Sequence, residues 1–152
     1  MKKIGFLILF MFFILSSAFS QAPGNITFIH EITNKDIATF GDAVKIFTLI
    51  VNNKSESFNK DVEFLIGKGM LEEVEYNKDA PIRKGELSLM IAKYFDLGDS
   101  LMYMIFKTPR YAFRTCVANG IMNFQASEWD YIDGGELIEI MYKVSKLFGG
   151  EE

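Results

Sequence analysis

The sequence predicts an all-α fold, a small helical bundle assembled from repeated helix–loop–helix units. Three observations carry that expectation. The pair Gly-acid occurs in Thr39-Phe40-Gly41-Asp42, Arg83-Lys84-Gly85-Glu86 and Asp133-Gly134-Gly135-Glu136, each time opening a stretch with apolar residues at helical spacing. The acids stand 44 and then 50 residues apart (42 to 86, 86 to 136), a spacing typical of arrays of like units. A glycine followed by two apolar residues closes a helical stretch at Gly69-Met70-Leu71 and again at Gly120-Ile121-Met122. No segment reads as a strand of a sheet.

Taken in order, residues 1–20 read as a secretory signal peptide. Lys2 and Lys3 form a positive start, Ile4 to Leu15 an apolar core, and Ala18-Phe19-Ser20 a small-residue exit. The apolar core is too short to be a convincing membrane span, and no integral span is expected after cleavage. Residues 21–35 form an N-terminal arm, in which Ile26 to Ile32 is short, β-branched and read as extended or docking. The helical domain occupies residues 36–148.

Within it, the first helix is expected from Phe40 to Asn52, with Ala43, Phe47, Ile50 and Val51 inward. The second runs from Phe58 to Lys68 with Val62, Leu65 and Ile66 inward, and stops at Gly69. An acidic, polar connection from Glu72 to Pro81 comes next. The third runs from Lys84 to Phe95 on Leu87, Met90, Ile91 and Tyr94, the i, i+3, i+4, i+7 pattern. A shorter apolar helix covers Asp99 to Phe106, set off by Pro109 from a helix at Arg110 to Asn119. Ser127 to Ile132 is a polar-aromatic loop. The last helix runs from Gly135 to Phe148 on Leu137, Ile140, Met141 and Val144, and residues 149–152 form a disordered tail.

The acid of each Gly-acid pair has a local physical reason. A helix start leaves N–H groups unpaired, and a Thr or Asp three residues before an acid can close a capping box. Thr39-x-x-Asp42 and Asp133-x-x-Glu136 fit that description. Arg83-x-x-Glu86 keeps the acid, which favours the positive end of the helix, but has no capping side chain.

Glycine stop, apolar pair, loop and Gly-acid start together resemble S-layer homology repeats. The matching residues are Gly69-Met70-Leu71 with Arg83-Lys84-Gly85-Glu86-Leu87, and Gly120-Ile121-Met122 with Asp133-Gly134-Gly135-Glu136-Leu137; Thr39-Phe40-Gly41-Asp42 opens a half unit. The resemblance spans residues 36 to 147. It implies helix pairs in pseudo-threefold array and noncovalent attachment to cell-wall polysaccharide through a motif arginine. That arginine's position holds Phe40, Lys84 and Gly134 here, so Lys84 is the one cation retained.

Charge narrows the partners. Signal cleavage would remove two lysines and no acids, making the chain still more acidic than its net charge of −4. Such a chain is a poor candidate for nucleic acid or an anionic membrane surface. A single His (His30) and a single Cys (Cys116) supply no zinc site of ordinary type, and the carboxylates lack calcium-loop spacing. No metal, cofactor or enzymatic activity is expected, and Cys116 is read as a buried apolar side chain. The candidate binding residues are Lys84, the basic pair Arg110 and Arg114 with Tyr111, and Trp129 and Tyr131 in the loop beyond. The function expected is an exported, noncatalytic envelope module, in the periplasm or at the cell surface. It serves either as an adaptor docking on another envelope protein or as a binder of peptidoglycan or wall polysaccharide.

Overall fold

The computed structural model describes residues 23–52, 54–97 and 101–148. The signal-peptide reading and the tail therefore lie outside the described residues. Seven helices are found among them: α1 (Pro23–Thr33), α2 (Phe40–Asn52), α3 (Phe58–Gly67), α4 (Lys84–Tyr94), α5 (Leu101–Phe106), α6 (Pro109–Ala118) and α7 (Gly134–Phe148). The only extended pairings among the described residues are two isolated bridges, Thr39 with Pro81 and Arg83 with Tyr131. The fold is all-α.

The chain divides into two compact units, Met1–His30 and Glu31–Glu152. In the first, the described residues are helical from Pro23 onward. The extended reading of Ile26 to Ile32 is thus corrected: helical hydrogen bonding overrides the β-branched preference of Ile-Thr-Phe-Ile. The helices from α2 to α7 all belong to the second unit.

There, α2 packs on α3 and α7, while α4 packs on α6, which also carries α5. The core is apolar and mostly aliphatic, with Phe47, Leu65, Leu87, Ile91, Leu137 and Met141 fully buried. In α7 the expected face of Leu137, Ile140, Met141 and Val144 is the buried one. In α2 the inner face is rotated from expectation. Ala43, Val44, Ile46 and Phe47 are buried, whereas Ile50 and Val51 are only partly buried.

The two glycine stops share one construction. Gly69 (φ 74°) donates to Ile66 O at 2.8 Å, and Met70 donates to Leu65 O at 3.0 Å. Gly120 (φ 71°) donates to Val117 O at 3.0 Å, and Ile121 to Cys116 O at 2.9 Å. Each is a Schellman closure, which needs a left-handed residue after the helix and is least costly with glycine. The apolar pair beyond it, Met70-Leu71 or Ile121-Met122, is buried both times.

The helix starts meet as well. Ala38, Ile82 and Ile132 each lie four residues before one of the acids, and all three are fully buried. Ala38 N donates to Ile132 O (2.7 Å), Ile82 N to Ala38 O (3.1 Å) and Ile132 N to Ile82 O (3.3 Å). These bonds close a ring, so each buried strand-like segment satisfies its neighbour's backbone without any side chain. Outside the ring, Gly41 N donates to Lys78 O, Gly85 N to Glu128 O and Gly134 N to Lys35 O, all at 2.9 Å. Each helix start is thereby pinned to the backbone of a preceding or neighbouring loop.

Candidate binding surfaces

Local capping sets the geometry at each helix start. Asp42 Oδ2 accepts from Thr39 N and Thr39 Oγ1, both at 2.9 Å, and Asp42 N donates to Thr39 Oγ1 at 3.3 Å. Both halves of the box are present. At α7 only the forward half forms, with Glu136 N donating to Asp133 Oδ1 at 2.7 Å. At α4 only the reverse half forms, with Arg83 N donating to Glu86 Oε2 at 2.8 Å, because a guanidinium cannot accept.

Freed from capping, the Arg83 side chain runs outward across the polar-aromatic loop. Nη1 donates to Trp129 O and Nη2 to Tyr131 Oη, each at 3.1 Å. The guanidinium carbon stands 4.7 Å from the Tyr131 ring centroid and 5.8 Å from that of Trp129, within cation–π range. The loop itself is held by Ser127 N on Asp130 Oδ2 (2.8 Å) and by Trp129 N on Ser127 Oγ (3.3 Å). Lys84 N on Asp130 O (2.9 Å) ties it to the start of α4. Trp129 nevertheless stays 68% exposed and Tyr131 47% exposed. Two aromatic rings and one arginine thus form a fixed, outward-facing cluster.

The residues singled out from sequence separate into three places. Trp129 and Tyr131 belong to the Arg83 cluster. Lys84, the neighbour of Arg83, is only 8% exposed, with Nζ 2.6 Å from Glu136 Oε1. Arg110, Tyr111 and Arg114 sit on α6, where Tyr111 stacks on Phe106 (centroids 5.4 Å apart, planes 25° apart) and Arg114 lies 6.0 Å over the Tyr111 ring. Arg110 Nε reaches Glu128 Oε1 only at 3.9 Å. Arg83 is the residue that sequence reasoning misses. Nothing local marks it, since its partners are 46 and 48 residues away.

A groove between the start of α4 and the Glu72 to Pro81 connection is also not foreseen from sequence. It encloses about 320 Å³, with Met70, Leu71, Leu89 and Met90 among its lining. Phe40 and Tyr76 stack along it at 4.8 Å with planes 6° apart. Glu75 and Glu86 contribute carboxylates, and Lys93 is drawn to Glu72 at 3.4 Å. An apolar floor with acidic edges suits a cationic, partly apolar group.

Cys116 is fully buried between α4 and α6, its Sγ 3.8 Å from Ser88 O. Burial pushes the thiol up to about 12 from an ordinary value near 9, and the Ser88 side chain only partly opposes that. Native protein at pH 8 should leave Cys116 unmodified by a maleimide, with full labelling only in denaturant; labelling of folded protein within minutes would contradict the burial. A raised folded value also fixes the direction of the pH effect on stability. The protonated folded thiol carries no penalty below pH 9, and its contribution is lost as pH rises from about 9 towards 12.

Among the described residues, no group of His, Cys, Asp and Glu is arranged to hold a metal ion, and no helix is long and apolar enough to cross a membrane. No family model, no curated protein and no solved structure matches the chain.

Proposed function

We propose that this protein is a noncatalytic docking module of the cell envelope that grips a protein partner through Arg83, Trp129 and Tyr131. The carrying observation is the clamp itself. Trp, Tyr and Arg dominate interface hot spots, and here the two rings stay exposed while the guanidinium and the loop hydrogen bonds hold them in place. Preorganisation of this kind lowers the ordering cost of association. Export rests on the character of residues 1–20. The ring of three backbone bonds and the paired glycine stops support kinship with S-layer homology repeats, in which like units close on one another.

Glycan binding is the second reading, favoured by the exposed indole of Trp129, a surface on which a sugar ring can stack. Against it stands Lys84, the one cation at the motif position, whose ammonium is taken by Glu136.

The test is photocrosslinking in intact envelopes from a probe amino acid at Glu128, beside the clamp. One discrete protein adduct is expected, and Trp129→Ala or Arg83→Ala should weaken its formation about thirtyfold, the size of a 2 kcal/mol hot spot. Lys84→Ala should lower the melting temperature and leave partner affinity unchanged. Saturable binding of the same protein to protein-free sacculi, with no protein adduct, would replace this reading with the glycan one.

A further inference from the structure

Helix α5 breaks the usual relation between apolar side chains and the interior. Of Leu-Met-Tyr-Met-Ile-Phe, only Tyr103 is buried (4% exposed), whereas Leu101 is 70% and Ile105 63% exposed, with Met102, Met104 and Phe106 close behind. At 100° per residue the five exposed side chains cover an arc of about 200°. A helix lying in a protein groove or on a core needs an apolar stripe about half as wide. A fluid apolar medium, by contrast, can surround a helix on that many sides.

The segment just beyond α5 is basic. Lys107, Arg110 and Arg114 are all exposed. They are tied to the apolar surface by a continuous stack, Phe106 on Tyr111 and Arg114 over Tyr111. Among the described residues, the one acid whose carboxylate is paired with these cations, Glu128, lies 3.9 Å from Arg110. The backbone adds an independent sign. Asp96 (φ 46°) and Lys107 (φ 44°) bracket the segment in the left-handed region, which β-carbon sterics disfavour. At the close of α5 a lysine therefore stands where glycine would be less strained, and strained positions of this kind concentrate at functional sites.

We propose that α5 inserts as a shallow apolar wedge into an anionic lipid surface, with Lys107, Arg110 and Arg114 contacting the phosphate headgroups. Six residues reach only about 9 Å, so the helix lies in the interface and does not span it. The chain's overall acidity does not oppose this contact. At physiological ionic strength charges more than about 8 Å from the surface are screened, and the cations beside α5 are the ones that reach it.

The test places an environment-sensitive nitrobenzoxadiazole label at position 105 of the full-length chain through Ile105→Cys; buried Cys116 stays silent. Vesicles of phosphatidylglycerol and phosphatidylethanolamine should shift the emission to the blue, and acyl-brominated lipid should quench it, whereas pure phosphatidylcholine should do much less. Arg110→Gln and Arg114→Gln should each raise the half-saturating lipid concentration about fivefold, the effect of one basic residue near an anionic surface. The same label at Glu63→Cys on α3 should not respond. Three results would overturn the proposal: an unresponsive label at 105; an equal response at 63, which assigns binding to another part of the chain; or a blue shift in vesicle-free buffer that grows with protein concentration, which makes a second copy the occupant.

Discussion

Replacing Gly134 by alanine should destabilise the protein by about 3 kcal/mol or more, read as a fall in the urea midpoint with an unchanged slope. A β-carbon at this position would fall inside the carbonyl oxygen of Ile32 and 2.7 Å from its carbonyl carbon. The obstacle is backbone, which cannot swing aside as a side chain can. Relief would require moving Ile32 away from the start of α7, and with it the Gly134 N to Lys35 O bond. Gly41 and Gly85 are similarly placed, their virtual β-carbons 2.9 Å from Lys78 O and Glu128 O. Gly67 supplies the control. It is the last residue of α3 with nothing within 4 Å of a β-carbon, so Gly67→Ala should stabilise by about 0.5–1 kcal/mol. Equal effects at positions 67 and 134 would show that helix propensity, not close approach, governs both.

Asp42→Ala should cost about 2–3 kcal/mol, well above an ordinary cap. Asp42 is 7% exposed and does three things at once. It accepts from Thr39 N and Oγ1, and both its oxygens take Lys35 Nζ, at 2.8 and 2.7 Å. Lys35 is itself 39% exposed, which limits the ion-pair share through solvent screening. Asp42→Asn, which keeps a cap acceptor and drops the charge, should recover roughly half of the loss. Glu86→Ala is the comparison at α4. It removes one backbone acceptance at an exposed site, and about 1 kcal/mol is expected. Chemical denaturation of the three variants side by side checks the order, and a loss at Glu86 as large as that at Asp42 would contradict it.

These two sites differ in how far sequence could reveal them. The Thr39–Asp42 box is a contact over three residues, and its chemistry is written in the residue types. The same holds for the Schellman closures at Gly69 and Gly120, where one glycine and one apolar pair carry the whole motif. The ring of Ala38, Ile82 and Ile132 leaves no such mark. Its bonds are main-chain to main-chain, and any small or aliphatic residue would serve. Arg83 escapes notice for a related reason. Motif position favours its neighbour Lys84, while the aromatic partners that define Arg83 lie in a distant loop. In α1, residue preference points the wrong way, because Ile-Thr-Phe-Ile favours extended backbone in isolation and a helix forms nonetheless.

The ring also has a kinetic side. Its three members are spread along the chain, and two of its bonds use Ile132, the last of the three in sequence. A chain emerging from a ribosome has only the Ile82–Ala38 bond of the three available until that residue appears. Closing the circuit joins positions 38 and 132 across most of the domain, a large loop whose entropy must be met in one late step. Until then the buried ends of the three segments have no complete set of partners. A protein wired this way makes the segments before α2, α4 and α7 interdependent, so that displacing any one of them takes a backbone partner from the other two.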